Sequence, residues 1–292
     1  MDISQYNDHG QFCSGHAACA GCVEALTMRV ILNEIGPDAV GVVAPSCTAV
    51  ILGGYPTSSA RIPFLHGLIE TAAAMGTGVK RGLAAQGKDD TTVICFAGDG
   101  GTYDIGIQAL SSAAERNEDI LYVCFDNEGY MNTGGQKSSS TPHGAATGST
   151  PLGKATVKKN LIEILAAHRI PYIATASPSH LADLAAKVKK AKAIRGMKVL
   201  IVVIPCLPGW GVADNEAVKV SRMAVESGVF PLFEVEDGLT YRVASEKSAP
   251  VDAYLATQKR YRHLEGAQID TLQAEVDFNY ARLKALEAIS PA

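Results

Sequence analysis

An α/β fold built on a doubly wound, mostly parallel sheet is what this sequence predicts, and three observations carry the prediction. Short β-branched runs alternate with longer helical patterns, the runs are continuously apolar, and residues such as Gly, Asp, Asn and Cys follow them. The runs are AVGVVA (39–44), TTVICFA (91–97), DILYVCFD (119–126), PYIATA (171–176) and KVLIVVIP (198–205). Continuous apolar runs suit strands covered on both faces, whereas a strand with one wet face alternates. Helical patterns fall between them at about 22–35, 66–86, 104–116, 160–168 and 179–195. Strand followed by helix, repeated, gives parallel strands joined by right-handed crossovers. Ligands in such sheets bind beyond the carboxyl ends of the strands, so the residues just after each run are where function is expected.

Composition narrows the function classes. At 292 residues, 47% apolar and 19% charged, the chain can bury a large core in one big domain or two ordinary ones. A formal charge of -4 leaves no basic footprint for nucleic acid, and the run KVKKAK (187–192) reads as the solvated face of a helix. The polar start MDISQYNDHGQ has no signal pattern, and no apolar run approaches the roughly 18 residues of a membrane helix. The expectation is a cytoplasmic protein with neither nucleic-acid nor membrane partners.

Two stretches break the strand–helix rhythm. Residues 129–155 are too long for a routine connection and too rich in Gly, Ser and Thr to be core, which makes them a binding loop or a disordered one. Past Trp210 come a helical segment (213–227), a strand VFPLFEVED (229–237) and a charged helical tail (251–287), with no linker and no internal repeat. We therefore expect an α/β domain over 1–210 and a C-terminal extension over 211–292 that packs on the same domain or on a partner subunit.

The chemistry starts after the second run. In GDGGTYDIGIQAL, Gly98, Gly100 and Gly101 permit a tight turn and close backbone approach, and the helix that follows offers free amides to an anion. Asp99 cannot itself partner a phosphate. A carboxylate belongs there if a divalent cation lies between, since Mg²⁺ is held by one or two protein oxygens plus ligand phosphates. After the next run, Asn127 in DNEGYMN offers a side-chain carbonyl, with the backbone carbonyl of Gly129 nearby. A lone GDG is an ordinary turn; paired with DNEGYMN it has the arrangement of thiamine diphosphate enzymes.

Cysteine spacing adds a second constellation. Cys95 and Cys124 sit inside apolar runs and read as inert core, whereas Cys13, Cys19, Cys22, Cys47 and Cys206 lie beside Gly, Pro or Ser at element ends. Cys19 and Cys22 form a C-x-x-C; Cys47 follows the first run and Cys206 the last. Four thiolates suit either tetrahedral Zn²⁺ or an iron–sulfur cluster. Two single, distant cysteines beside a thiamine site favour the cluster, which would give the cofactor's electrons an outlet.

These residues resemble the thiamine-binding β subunit of 2-oxoacid:ferredoxin oxidoreductases, in particular the pyruvate branch. The resemblance runs from GHAACAGCVEA (15–25) through FLHGLIETAAAMGTGV, the stretch from GDGG to STPHGA, and TPLGK, to IPYIATASP and IPCLPGW, about residues 15–210. It implies the diphosphate-binding module of the thiamine fold, with a 4Fe-4S cluster on Cys19, Cys22, Cys47 and Cys206. Asp99, Asn127 and the Gly129 carbonyl would hold Mg²⁺; Asn132 would lie near the reacting part of thiamine diphosphate, with Cys47 beside it. Glu24 and His66 match family residues near the active site; a carboxylate favoured by a helix N-terminus and a polar helix cap are their plainer readings.

The resemblance also implies partners. The glutamate that activates the aminopyrimidine ring belongs to a second, pyrimidine-binding module that this chain lacks, so an α subunit would complete the site. A γ subunit or domain and a ferredoxin-like δ subunit or domain would accompany it, with ferredoxin as electron acceptor and coenzyme A as a candidate acceptor of the product. Val23, Pro45, Ser46, Gly129, Gly135 and His143 depart from the family pattern in positions expected to border the cofactor and cluster. Those departures bear on the substrate: a small 2-oxo acid, pyruvate first, with oxalate as the most polar extreme. The competing readings are a non-redox thiamine lyase or synthase subunit with structural zinc, and a zinc-stabilised scaffold subunit without catalysis.

Overall fold

A computed structural model describes residues 10–291. Its single eight-stranded sheet has the order β2-β1-β3-β4-β6-β5-β7-β8. The predicted runs form β1 (Ala39–Val43), β3 (Thr92–Gly98), β4 (Leu121–Asp126), β5 (Tyr172–Ala176) and β6 (Lys198–Val203), all parallel. Helices α1 (Val23–Ile35), α3 (Ala72–Ala85), α4 (Ile107–Glu115), α5 (Leu161–Ala166) and α6 (Leu181–Ala193) stand near the predicted positions. β3, β4 and β6 are buried along nearly their whole length, as their continuous apolar sequences require. Phe64, Phe96 and Phe125 stack across this sheet at 5.9 and 5.5 Å. Gly41 permits the first step: a Cβ there would stand 2.1 Å from the Phe64 ring, which lies over β1.

Several elements differ from the sequence expectation. The pattern read as a helix from 66 begins instead as edge strand β2 (Phe64–His66), and α3 starts only after a turn in which Leu68 N–H donates to Thr71 Oγ1 at 2.8 Å. His66 therefore ends a strand and caps no helix. The helix expected from 104 opens as a wide π turn over Gly100–Ile105 before α4. A short helix, α2 (Cys47–Leu52), begins at Cys47 itself. Lys187, read as solvated, is buried, donating to Thr175 O at 2.9 Å and to Asp183 at 2.7 Å.

The C-terminal residues join the same sheet. After α7 (Leu207–Trp210) and α8 (Ala217–Glu226), β7 (Phe233–Glu236) pairs antiparallel with β5, and β8 (Thr240–Val243) with β7. The tail is then broken into α9 (Val251–Leu255), a 3-10 turn (Lys259–Tyr261) and α10 (Gly266–Ala288). Among the described residues no helix is long and apolar enough to cross a membrane.

Strand order positions the site. β1, β3, β4 and β6 are consecutive neighbours, and at about 4.8 Å per strand the four span only roughly 15 Å. Their carboxyl ends carry Cys47, Asp99, Asn127 and Cys206 in that lateral order.

Candidate functional site

A cavity of about 360 Å³ opens beyond β1, β3 and β4, lined by Cys47, Gly98, Asp99, Gly100, Gly101, Asn127, Gly129 and Asn132 among others. The glycines answer local crowding. A Cβ on Gly101 would meet the Ile69 backbone oxygen at 2.8 Å, and one on Gly100 would stand 2.3 Å from the Tyr130 ring. The Tyr130 hydroxyl lies 3.1 Å from Gly100 O and 2.9 Å from Asp104 Oδ2, which fixes the ring against that turn.

Three oxygens converge at the cavity floor. Asn127 Oδ1 is 2.8 Å from Gly129 O and 2.9 Å from Asp99 Oδ1, acceptor facing acceptor. Turning the amide over would supply N–H donors to both; a divalent cation among the three oxygens would instead keep the orientation and resolve the conflict. The donor set, all oxygen with one carboxylate, is the kind that holds Mg²⁺, so the residues present fit the cation.

The floor rests on a buried charge network. Ser138 donates to Asp99, Ser140 to Asp126 Oδ1 at 2.6 Å, and Thr141 to Glu128 O at 2.7 Å, so the long polar loop is a packed wall of the site. Lys158 bridges Asp126 at 2.7 Å and Glu128 at 3.1 Å, and Arg260 holds the other Glu128 oxygen at 2.6 Å. Burial pushes Asp99 well above the usual carboxylate range, and the charge of Asp126 adds to it. Burial acts upward on Glu128 too, but Lys158 and Arg260 outweigh it and hold that carboxyl low. Glu128 has φ of +64°, and Trp210 Nε1 donates to the neighbouring Asn127 O at 2.8 Å. Ser138, Ser140, Lys158, Trp210 and Arg260 were not singled out from sequence; only the SSS run (138–140) in a polar loop hinted at them.

The four predicted cysteines meet at a second cavity of about 70 Å³, lined by Cys19, Cys22, Cys47, Cys206, Glu24, Asn127 and Asn132 among others. All are free thiols. Burial pushes Cys22 up to about 12, with Glu24 and the neighbouring Cys19 and Cys206 adding to it, and raises Cys47 and Cys206 in the same way. Among the described residues no group of three or more His, Cys, Asp or Glu side chains is arranged to hold a metal ion. Glu24 is buried beneath this cavity, accepts from Thr48 Oγ1 at 2.7 Å, and is pushed up to about 7 by burial.

The two cavities share a wall of Cys47, Val50, Asn127 and Asn132. Cys47 Sγ lies 3.1 Å from Asn132 Oδ1 and 3.7 Å from Asn127 Nδ2. Of the predicted site residues His66, exposed at the end of β2, lines neither cavity; Cys13, which lies outside the predicted ligand set, is approached by Arg61 Nε at 3.2 Å. His143, expected to border the cofactor, turns to α10 and pairs with Glu275 at 3.1 Å.

The family described as thiamine pyrophosphate enzyme, C-terminal TPP binding domain, matches residues 47–203. The chain is 47% identical over 271 residues to pyruvate synthase subunit PorB of Methanothermobacter thermautotrophicus, covering 90% of this chain and 93% of that one. It is 38% identical over 292 residues to ketoisovalerate oxidoreductase subunit VorB of Pyrococcus horikoshii, covering 95% and 94%. The fold matches a solved structure of 2-oxoglutarate:ferredoxin oxidoreductase from Magnetococcus marinus, with 2-oxoglutarate, coenzyme A and succinyl-CoA bound. That match has a TM-score of 0.60 at 17% identity, over 100% of this chain and 97% of the other. With such identity over nearly the full length, the chain belongs to the thiamine diphosphate-binding β subunits of the 2-oxoacid:ferredoxin oxidoreductases.

Proposed function

We propose that this chain is the catalytic subunit for oxidative decarboxylation of a small 2-oxo acid, pyruvate in the first place, with electrons leaving through a 4Fe-4S cluster to ferredoxin. Thiamine diphosphate supplies the loss of CO₂ from the 2-oxo acid, and the cluster supplies one-electron transfer. Asp99, Asn127 and the Gly129 carbonyl hold Mg²⁺, and the turn at Gly98, Gly100 and Gly101 receives the diphosphate. Cys19, Cys22, Cys47 and Cys206 hold the cluster. Asn132, on the shared wall, orients the reacting end of the cofactor, and Glu24 carries a proton beneath the cluster cavity up to about pH 7. The pyrimidine-binding α subunit completes the site, and γ and ferredoxin-like δ subunits or domains carry the electrons and product onward.

The observation that carries this reading is the shared wall: a cavity ringed by cysteines abuts the cavity with the oxygen triad. Iron, sulfide and zinc analysis of the anaerobically purified complex tests it. About four irons assigned to this chain, lost in Cys47→Ser, are expected; one zinc and no iron would replace the redox reading with a lyase or synthase. A panel of pyruvate, 2-oxoisovalerate, 2-oxoglutarate and oxalate, with and without coenzyme A, assigns the substrate.

A further inference from the structure

The Asn127 side chain stands between the two cavities, and its ends face different chemistry. The nitrogen lies 3.7 Å from Cys47 Sγ, and the oxygen lies 2.8 Å from Gly129 O and 2.9 Å from Asp99 Oδ1. Its backbone carbonyl is tethered by Trp210 Nε1 at 2.8 Å, so the amide group turns on a held main chain. Two orientations compete for it. With a cation among the three oxygens, Oδ1 faces the metal and the N–H faces the sulfur. With no cation, a half-turn gives the N–H to Asp99 and Gly129, and the carbonyl oxygen then faces Cys47.

The geometry points to Asn127 as a relay by which occupancy of the cation site sets the reduction potential of the cluster bound through Cys47. This rests on the reading that Cys47 is a cluster ligand and that Asp99, Asn127 and Gly129 hold Mg²⁺. An N–H directed at a cluster thiolate stabilises the more negative, reduced cluster and raises its potential; a carbonyl oxygen in its place does the reverse. No bond is made or broken in the relay. The consequence is that the cluster becomes the better electron acceptor when the cofactor's cation is seated, and the poorer one when the site is empty.

The test is a redox titration of the anaerobically purified complex, following the electron paramagnetic resonance signal that Cys19→Ser alters. It is run with Mg²⁺ and thiamine diphosphate present and again after chelation. Loading is expected to raise the wild-type midpoint by about 59 mV, a tenfold change in the one-electron equilibrium, the size of one hydrogen bond to a charged acceptor. Asn127→Thr keeps a neutral oxygen for the cation and has no N–H to present, so most of the shift should vanish. A wild-type midpoint indifferent to loading, or an equal shift in Asn127→Thr, would overturn the relay. Should Asn127→Thr fail to assemble, pulsed resonance on wild type labelled with ¹⁵N asparagine decides: nitrogen coupling to the reduced cluster must change on chelation, and an unchanged coupling refutes the relay. Absence of any iron signal would be a failure of the cluster reading, distinct from either result.

Discussion

Replacing Arg260 by Met probes whether the C-terminal segment holds the strand end that carries Asn127 and Gly129. The Arg260 and Glu128 side chains are 3% and 2% exposed and 2.6 Å apart. Arg260 also donates to Gln258 Oε1 at 2.7 Å and stacks 3.7 Å from the Trp210 ring centroid. Glu128 sits at φ of +64°, a conformation that costs on the order of 1–3 kcal/mol and persists only when its surroundings enforce it. Methionine fills most of the space over Trp210, so the lost charge dominates the change. Removing one partner of a buried pair costs about 3–5 kcal/mol. Because Lys158 stays at 3.1 Å from Glu128, the lower end applies, about 3 kcal/mol. At about 2 °C per kcal/mol for a chain of this size, Tm falls by roughly 6 °C. Thermal unfolding of the purified complex reads this, and calorimetric titration with thiamine diphosphate and Mg²⁺ should show about a tenfold weaker Kd, or 1.4 kcal/mol. With Glu128→Gln added, the double variant should lose at least about 1 kcal/mol less than the sum of the singles. A Tm within about 2 °C of wild type, together with an additive cycle, would refute the argument.

Three further outcomes follow from other parts of the molecule. At the amino ends of β4 and β6, Asp119 receives Lys198 at 2.5 Å, Lys80 at 3.0 Å and Arg195 at 3.1 Å; burial pushes its pKa up, but Lys198 and Lys80 outweigh it and hold it below the ordinary 3.8. A depressed carboxyl contributes stability that is complete above its unfolded pKa and is lost as pH falls toward its folded one, so acid unfolding should steepen below about pH 4 in wild type. Asp119→Asn should be less stable at neutral pH with a flatter acid limb; parallel curves would contradict this. In Gly100→Ala the new methyl meets the Tyr130 ring at 2.3 Å, an overpacking that costs about 1–3 kcal/mol, and cofactor affinity should drop at least about tenfold; unchanged affinity would mean the ring yields freely. On the proposed cluster reading, Cys206→Ser should lower the iron assigned to this chain while Cys13→Ser leaves it unchanged, because only the former lines the cysteine cavity; equal iron in both would remove Cys206 from the ligand set.

What was legible in the sequence divides along a physical line. β3, β4 and β6 are buried on both faces, so their sequences carry the signal continuously. β2 is a three-residue edge strand, formed because Gly41, Val42 and Val43 offer it partners and not because of anything in FLH itself. Lys187 looked solvated because charge is read one residue at a time, whereas its fate depends on Thr175 O lying within reach of a long side chain. The same holds for Lys158 and Arg260. Each is an unremarkable cation locally, and each gains its role from Glu128, thirty and 132 positions away.

The candidate site was legible for a different reason: apart from Cys19, Cys22 and Glu24 at the start of α1, its residues follow strands, and strand order does the rest. Cys47 and Cys206 are far apart in sequence, yet they follow β1 and β6 of one set of four neighbouring strands, and both side chains reach one cavity with Asn127 and Asn132. Spacing alone could not tell whether C-x-x-C served the cofactor or a remote structural ion. Adjacency changes that question, since Cys47, Asn127 and Asn132 border both cavities. A substitution on this wall disturbs cation binding and the cysteine cavity together, so loss of turnover cannot say which was damaged. Only readouts that separate them, cofactor affinity on one side and, on the proposed reading, cluster potential on the other, assign a residue its part.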